Sequence, residues 1–237
     1  MGAREAILGS ARLRTLREPW RRRYALRRRL LLWTLGRVLP PAAGVPTERL
    51  GTGYGGWTVP AGVIDASWVC YCAGAGIDVS FDRALVERFG CTVVTIDPTD
   101  ESRAHVAPFP ELGFHQAALW SRDGELAMYR AADPTHQTLS ADDLQATGRA
   151  VTVPARSLAS LRAELGHDRV DLLKLDVEGA EWELLPGLEA ESPGLSVLCV
   201  EVHPTRGLRT AVRAFRALTA AGFRLAARDG ADFTFTR

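Results

Sequence analysis

The apolar positions fall into short unbroken runs separated by segments of helical spacing, the pattern of buried parallel strands alternating with covering helices. The clearest run is Leu172-Leu173-Lys174-Leu175-Asp176-Val177, which continues into Glu178-Gly179-Ala180-Glu181. Its leucines and valine predict a strand covered on both faces. Lys174 and Asp176 share one of those faces at spacing two. A charge that deep is costly unless it is paired or lies at the strand's open end, which places Asp176 at the carboxyl edge. Ligands of open α/β sheets bind outside that edge. Gly179 gives room for a turn, and residues 180–185 read as helix.

Residues 67–72 and 91–96 predict two further strands, with Phe81, Leu85 and Phe89 at spacing four on the helix between them and Gly90 as its stop. Residues 195–202 predict another buried strand, and Glu201 and His203 share a phase at its end. If the strands were neighbours, Asp176, Glu201 and His203 would converge on one rim. Residues 113–120 and 125–130 read as strands paired through Ser121-Arg122-Asp123-Gly124, a good hairpin turn. Residues 150–154 predict a short strand, 157–166 a helix capped by Ser157, and 210–221 the last helix. Residues 223–227 and 232–236, joined through Asp229-Gly230, predict a closing hairpin. The expected architecture is α/β: a mostly parallel central sheet flanked by helices, with a closing antiparallel hairpin. Residues 131–148 are polar, long for a loop and a candidate substrate lid, in which His136 reads as a surface residue. Residues 51–62, with Tyr54 and Trp57 among glycines, fit equally a strap over a ligand and a turn with a packed tryptophan.

The net charge of +1 hides an asymmetry. Residues 1–40 hold eleven arginines against Glu5 and Glu18, a net of +9, which leaves 18 basic and 26 acidic residues, a net of −8, in the rest. This divides the chain into a basic helical arm with a proline-containing linker over 1–47 and a folded domain over 48–237. Leu13, Leu16, Trp20 and Tyr24 recur at roughly helical spacing in the arm, and Pro19 is expected to interrupt it. Such a segment can dock on its own body or a partner subunit, lie on an anionic membrane surface, or bind nucleic acid, ranked in that order. The four cysteines have neither disulfide nor zinc spacing and read as core filler in a reducing compartment, so a cytoplasmic location is expected. Lys174 is the sole lysine. Arginine's planar fork does not replace a compact ammonium at such a site.

Strand, Ala73-Gly74-Ala75-Gly76-Ile77-Asp78, helix, strand and terminal Asp97 form the unit that holds a nucleoside: glycines admit the ligand to the backbone, and the acid, 21 positions after Gly76, accepts ribose hydroxyls. Val79 stands where a dinucleotide fingerprint wants a third glycine or alanine, and Asp78 would face a pyrophosphate with like charge. NAD is disfavoured. A cationic ligand without phosphate, such as S-adenosylmethionine, tolerates the acid.

The stretches Tyr71 through Phe81, Phe89-Gly90-Cys91, Ile96-Asp97-Pro98-Thr99 and Leu172 through Glu181 resemble the FkbM-type methyltransferases, from about Gly55 to the C-terminus. Cys72 stands where their loop pattern has its first glycine. Pro186 replaces the residue before Gly187. The resemblance implies a Rossmann-like class I methyltransferase fold, S-adenosylmethionine as methyl donor, and O-methylation of a sugar or another small-molecule hydroxyl. Gly74, Gly76, Asp78 and Asp97 are then the candidate cofactor contacts, with Ala118 near the adenine. Asp176 or His203 is the candidate base, and Glu178 and Glu201 are candidates to orient the acceptor. A divalent cation held by the rim is a less favoured variant. The plainer alternative leaves Glu178 and Glu181 to complement a helix end and Lys174 to neutralise Asp176. A non-catalytic nucleoside-binding module working through its arginine arm is the rival function, with an NAD-dependent oxidoreductase behind it.

Overall fold

The computed structural model describes residues 3–39, 44–131, 138–143, 145, 147–192 and 194–237, with backbone alone over 3–20. The chain opens with α1 (Ala3–Val38), which runs helical through Pro19 rather than breaking there. A proline costs a helix one hydrogen bond and one crowded turn, and here the helix continues on both sides of it. Strands β1 (Glu48–Leu50) and β2 (Trp57–Val59) then form an antiparallel ribbon. β3 (Val69–Ala73), α2 (Ser80–Phe89), β4 (Thr92–Ile96), α3 (Asp100–Val106) and β5 (Leu112–His115) follow in strict alternation. Gly90 ends α2 in the left-handed region at φ 76°, and Thr99 caps α3 by accepting from the Ser102 amide.

Next come β6 (Ala118–Leu119), β7 (Gly124–Arg130), β8 (Leu139–Ser140) and β9 (Ala150–Arg156). They form a separate four-stranded sheet in the order β6-β9-β7-β8. This corrects the expected hairpin of 113–120 with 125–130. Residues 112–115 are instead the edge strand of the main sheet, and β9 lies between β6 and β7, parallel to the first and antiparallel to the second. The Asp123-Gly124 turn is local chemistry, whereas β9 offers seven residues to pair with. Ser157 caps α4 (Leu158–Leu165) as expected. β10 (Leu172–Leu175), the short helices α5 (Glu181–Leu184) and α6 (Leu188–Glu191), β11 (Val197–Glu201), α7 (Leu208–Ala220) and the hairpin β12 (Arg224–Asp229) with β13 (Asp232–Thr236) complete the fold. α5 and α6 part at Pro186-Gly187, the position of the sequence departure.

The main sheet has the order β12-β13-β11-β10-β3-β4-β5. β11, β10, β3, β4 and β5 are mutually parallel, and β13 and β12 add the antiparallel edge. Strand order therefore advances outward in opposite directions from the β3/β10 junction, the place where an open α/β sheet leaves a crevice. The two faces carry separate apolar cores. Leu173 and Leu175 face the core that holds α7 and the end of α1, through Leu31, Leu35 and Leu39. Leu172 faces the core beneath α2, with Cys70, Cys72 and Cys199. All four cysteines are free and buried. Among the described residues no helix is long and apolar enough to cross a membrane.

Candidate functional site

At the carboxyl ends of β3, β4, β10 and β11 lies a pocket of about 550 Å³. Register explains how a charge enters the strand beneath it. Lys174 is paired with Cys72 on β3 and Cys199 on β11, so two small side chains flank the lysine on its face of the sheet. Lys174 is 3 % exposed. Its Nζ donates to the Gly74 carbonyl and lies 3.9 Å from Asp176 Oδ2. Burial pushes the ammonium's pKa down, but Asp176, then Asp82, hold it above its ordinary value. Buried Asp82 on α2 accepts from Thr95 Oγ1 at 2.7 Å, and its other oxygen has no hydrogen-bond partner among the described residues. Burial raises its pKa, against the pull of Lys174.

The glycine turn is shaped by the same junction. Gly74 has φ +87°, and a Cβ there would run into the backbone carbonyl of Asp176, so the turn after β3 packs directly on the end of β10. Among the described residues a Cβ on Gly76 would meet nothing within 4 Å, so that residue faces open space there. Asp97 closes the turn from the end of β4. Its Oδ2 accepts from the Ala75 and Gly76 amides at 3.0 and 3.3 Å, and its Oδ1 from the Thr99 amide and hydroxyl at 2.9 and 2.7 Å. Asp78 accepts from the Thr52 hydroxyl at 2.5 Å and the Ser80 amide at 2.8 Å. This fastens the 51–56 loop over one side of the pocket, where Tyr54 and Trp57 are among the lining residues. Ala117 and Ala118 line it together with Leu126 and Met128 from β7.

The opposite rim brings together Asp176, Glu178, Glu201 and His203, as neighbouring β10 and β11 require. His203 Nε2 lies 3.3 Å from Glu178 and 3.9 Å from Glu201, and its Nδ1 is 3.4 Å from Glu181 Oε1, off the hydrogen-bonding direction. Glu181 is 0 % exposed and accepts from the Gly179 and His203 amides, both at 2.8 Å. Trp182 Nε1 donates to the His203 carbonyl at 2.9 Å. Burial disfavours the imidazolium, yet Glu181, then Glu178 and Glu201, lift its pKa to about 10. Glu201 is pushed up to about 8, by burial first and Asp176 second, with His203 opposing. Glu178 holds φ 48°, rare outside glycine, and its carbonyl accepts from Ser140 Oγ at 2.8 Å. Burial raises its pKa, and His203 opposes the rise. Asp142 pairs with Arg206 at 2.6 Å, so the described part of the expected lid is tied to the rim. His136 lies outside the described residues.

Asp176, Glu178 and His203 each offer an atom within 4.8 Å of the others, the one such grouping among the described residues. A protonated imidazole has no lone pair to give an ion, so the pairing with Glu178 and Glu181 competes with metal binding here. Three residues of this region carry no sequence signal of their own. Glu181 reads as a helix-end acid, Asp232 as part of the closing hairpin, and Tyr24 as part of the arm. Asp232 and Tyr24 line the pocket. Burial, then Asp176, raises Asp232 to about 6, and burial, then Glu178, raises Tyr24 to about 12.

The raised values on the rim predict how stability varies with pH. The folded chain holds the His203 proton beyond the imidazole's ordinary 6.5, so that contribution is complete below 6.5 and is lost as pH rises through about 10. Glu201 acts in the same direction, between 4.5 and about 8. Thermal melting is therefore expected to fall steadily from pH 6.5 to pH 10, and Glu201→Gln should flatten the lower part. A flat profile in the wild type would mean that the buried imidazole is neutral.

A pocket at the switch point of a mostly parallel sheet, with a glycine turn on one side and an acid and imidazole rim on the other, defines an α/β protein whose cavity lies where open sheets of this kind take their ligands. The chain belongs to the FkbM methyltransferase family: residues 66–225 match the methyltransferase FkbM domain. It is also 30 % identical over 135 residues to the human and rat proteins named "Probable methyltransferase-like protein 24". That alignment covers 56 % of this chain and 32 % of each relative, so the chain spans about a third of their length.

Proposed function

We propose that the protein is an S-adenosylmethionine-dependent O-methyltransferase acting on a neutral hydroxyl of a sugar or other small secondary metabolite. The reading is carried by one juxtaposition: the glycine turn and Asp97 meet one half of the pocket, and the acid and imidazole rim meets the other. The strand order, with its closing hairpin, supports a class I methyltransferase fold. The donor fits the residues present. Gly76 leaves its side of the pocket open to a ligand. Ala118, Leu126 and Met128 offer an apolar wall to a base, and Asp78 and Asp97 suit a ligand with positive charge. Gly74, Gly76, Asp78, Asp97 and Ala118 would hold it.

Bound there, the donor supplies a methyl group on a sulfonium, and the chain's residues have to present an oxygen to it. Positioning is the largest effect, since aligning two bound reactants can supply about 7 to 11 kcal/mol of the barrier. Among the described residues Lys174 and His203 are the cationic groups lining the pocket, against acids on every side. Lys174 is already bound to Gly74. An anionic acceptor has little to pair with, whereas hydroxyls find acceptors in Glu178 and Glu201. The acids around His203 favour its protonated form, and the role of base is assigned to Asp176, at the strand end with its carboxylate partly open to the pocket.

The test is calorimetric titration of S-adenosylmethionine into the wild type and Asp97→Ala. Binding is expected in the wild type, and a loss of about tenfold to a hundredfold in the variant, which frees the Ala75 and Gly76 amides that Asp97 holds in the glycine turn. Unchanged affinity in a folded variant would remove Asp97 from the site, and no binding to the wild type would overturn the proposal.

A further inference from the structure

The second half of α1 has two faces of opposite character. Tyr24, Arg28, Leu31 and Leu35 follow one another at helical spacing on the side toward the body, where Leu31 and Leu35 are buried in the core and Arg228 donates to the Leu32 carbonyl at 2.9 Å. Leu26, Leu30 and Trp33 recur at the same spacing on the far side and are 68, 47 and 58 % exposed. Exposed Arg22, Arg23, Arg29 and Arg37 share that side, and the Arg37 guanidinium lies 4.0 Å from the centre of the Trp33 ring. Single apolar side chains on a surface are ordinary, but three in line among cations are not. No acidic residue occurs between Glu18 and Glu48 to neutralise them.

A second basic row stands on α7, which packs against α1. Arg209, Arg213 and Arg216 line a shallow groove of about 460 Å³ with Leu208 and Val212, and among the described residues no acid contributes to it. The same combination, arginine over an aliphatic floor, thus occurs on both helices.

We propose that this face docks the protein on a bilayer surface carrying anionic lipid, with α1 lying in the plane of the interface. The apolar row decides between anionic partners. Nucleic acid would be held through its phosphates by the arginines alone, whereas Leu26, Leu30 and Trp33 have a use only where hydrocarbon lies just below the phosphates. The helix lies on the membrane rather than crossing it, because its other face belongs to the protein core. The pocket wall at Tyr24 is on that inner face.

The test is co-sedimentation of the full chain with phosphatidylcholine vesicles, with and without phosphatidylserine. The protein is expected to pellet with the anionic vesicles and to stay in solution with the neutral ones. Arg23→Gln with Arg29→Gln should weaken binding roughly 25-fold, about fivefold for each charge. Leu26→Ser with Trp33→Ser should weaken it as well, at unchanged melting temperature. Failure to pellet with either vesicle, or a serine variant that pellets like the wild type, would overturn the proposal. So would a single-stranded RNA that binds more tightly than the vesicles and ignores the serine changes, which would make the face a nucleic-acid surface.

Discussion

Lys174→Met is expected to destabilise the protein by about 3 to 5 kcal/mol, the cost of removing one partner from a buried charge cluster. The methionine fills a similar volume, so packing is nearly conserved and the loss is electrostatic. Asp82 is buried with one oxygen already lacking a hydrogen bond, and Lys174 is the cation that opposes its desolvation. The Gly74 carbonyl loses its donor at the same time, at the point where the glycine turn presses on the end of β10. Denaturant unfolding of Lys174→Met alone and together with Asp82→Asn separates the terms. The double variant should recover a large part of the loss, because an amide needs no counter-ion. Additive losses in the double variant would mean that the two charges do not interact. Lys174→Arg should fail too. Cys72 and Cys199 flank a slim ammonium stem, and a wider planar fork with five donors in fixed directions does not reproduce the compact charge that bonds the Gly74 carbonyl.

That lysine also shows what could be read from the chain alone. A parallel strand buried on both faces has to be continuously apolar, so Lys174 and Asp176 were conspicuous, and period-two phase gave the face of each. The same logic applied to Glu201 and His203, and the β10–β11 pairing brings them to one rim. Gly74 and Gly76 were legible because left-handed backbone and close approach are needs that few residues meet. Contacts between distant segments leave no such mark. Tyr24 reaches a pocket whose other walls come from residues 54 onward, and nothing in local spacing announces it. Glu181 looks like an acid at a helix start, yet its two oxygens hold the Gly179 and His203 amides across 22 residues of chain. The β6–β7 error has the same origin: an Asp-Gly turn fixes a change of direction, but the partner of each strand is set by β9, which arrives later. Pro19 erred the other way, since a local penalty was outweighed along a long helix.

Asp176→Asn is expected to lower kcat by roughly a hundredfold to ten-thousandfold, the range for loss of a general base, while S-adenosylmethionine affinity changes little. The amide keeps the shape of the carboxylate and can still accept from a hydroxyl, so the acceptor should bind and KM should stay close to the wild type. What it cannot do is take the proton. A second signature distinguishes a lost base from a displaced loop. The Asp176 charge helps to hold Glu201 at about 8 and Asp232 at about 6, so neutralising it should move both toward ordinary carboxylate values. Carboxyl titrations followed by NMR should register that fall even where turnover is too slow to measure. If both titrations shift as expected and kcat stays within about tenfold of the wild type, no base is needed at this position. The rate would then come from alignment of the oxygen with the methyl group, with Glu178 and Glu201 holding the acceptor and His203, within 3.9 Å of Glu178, Glu181 and Glu201, fixing them in place.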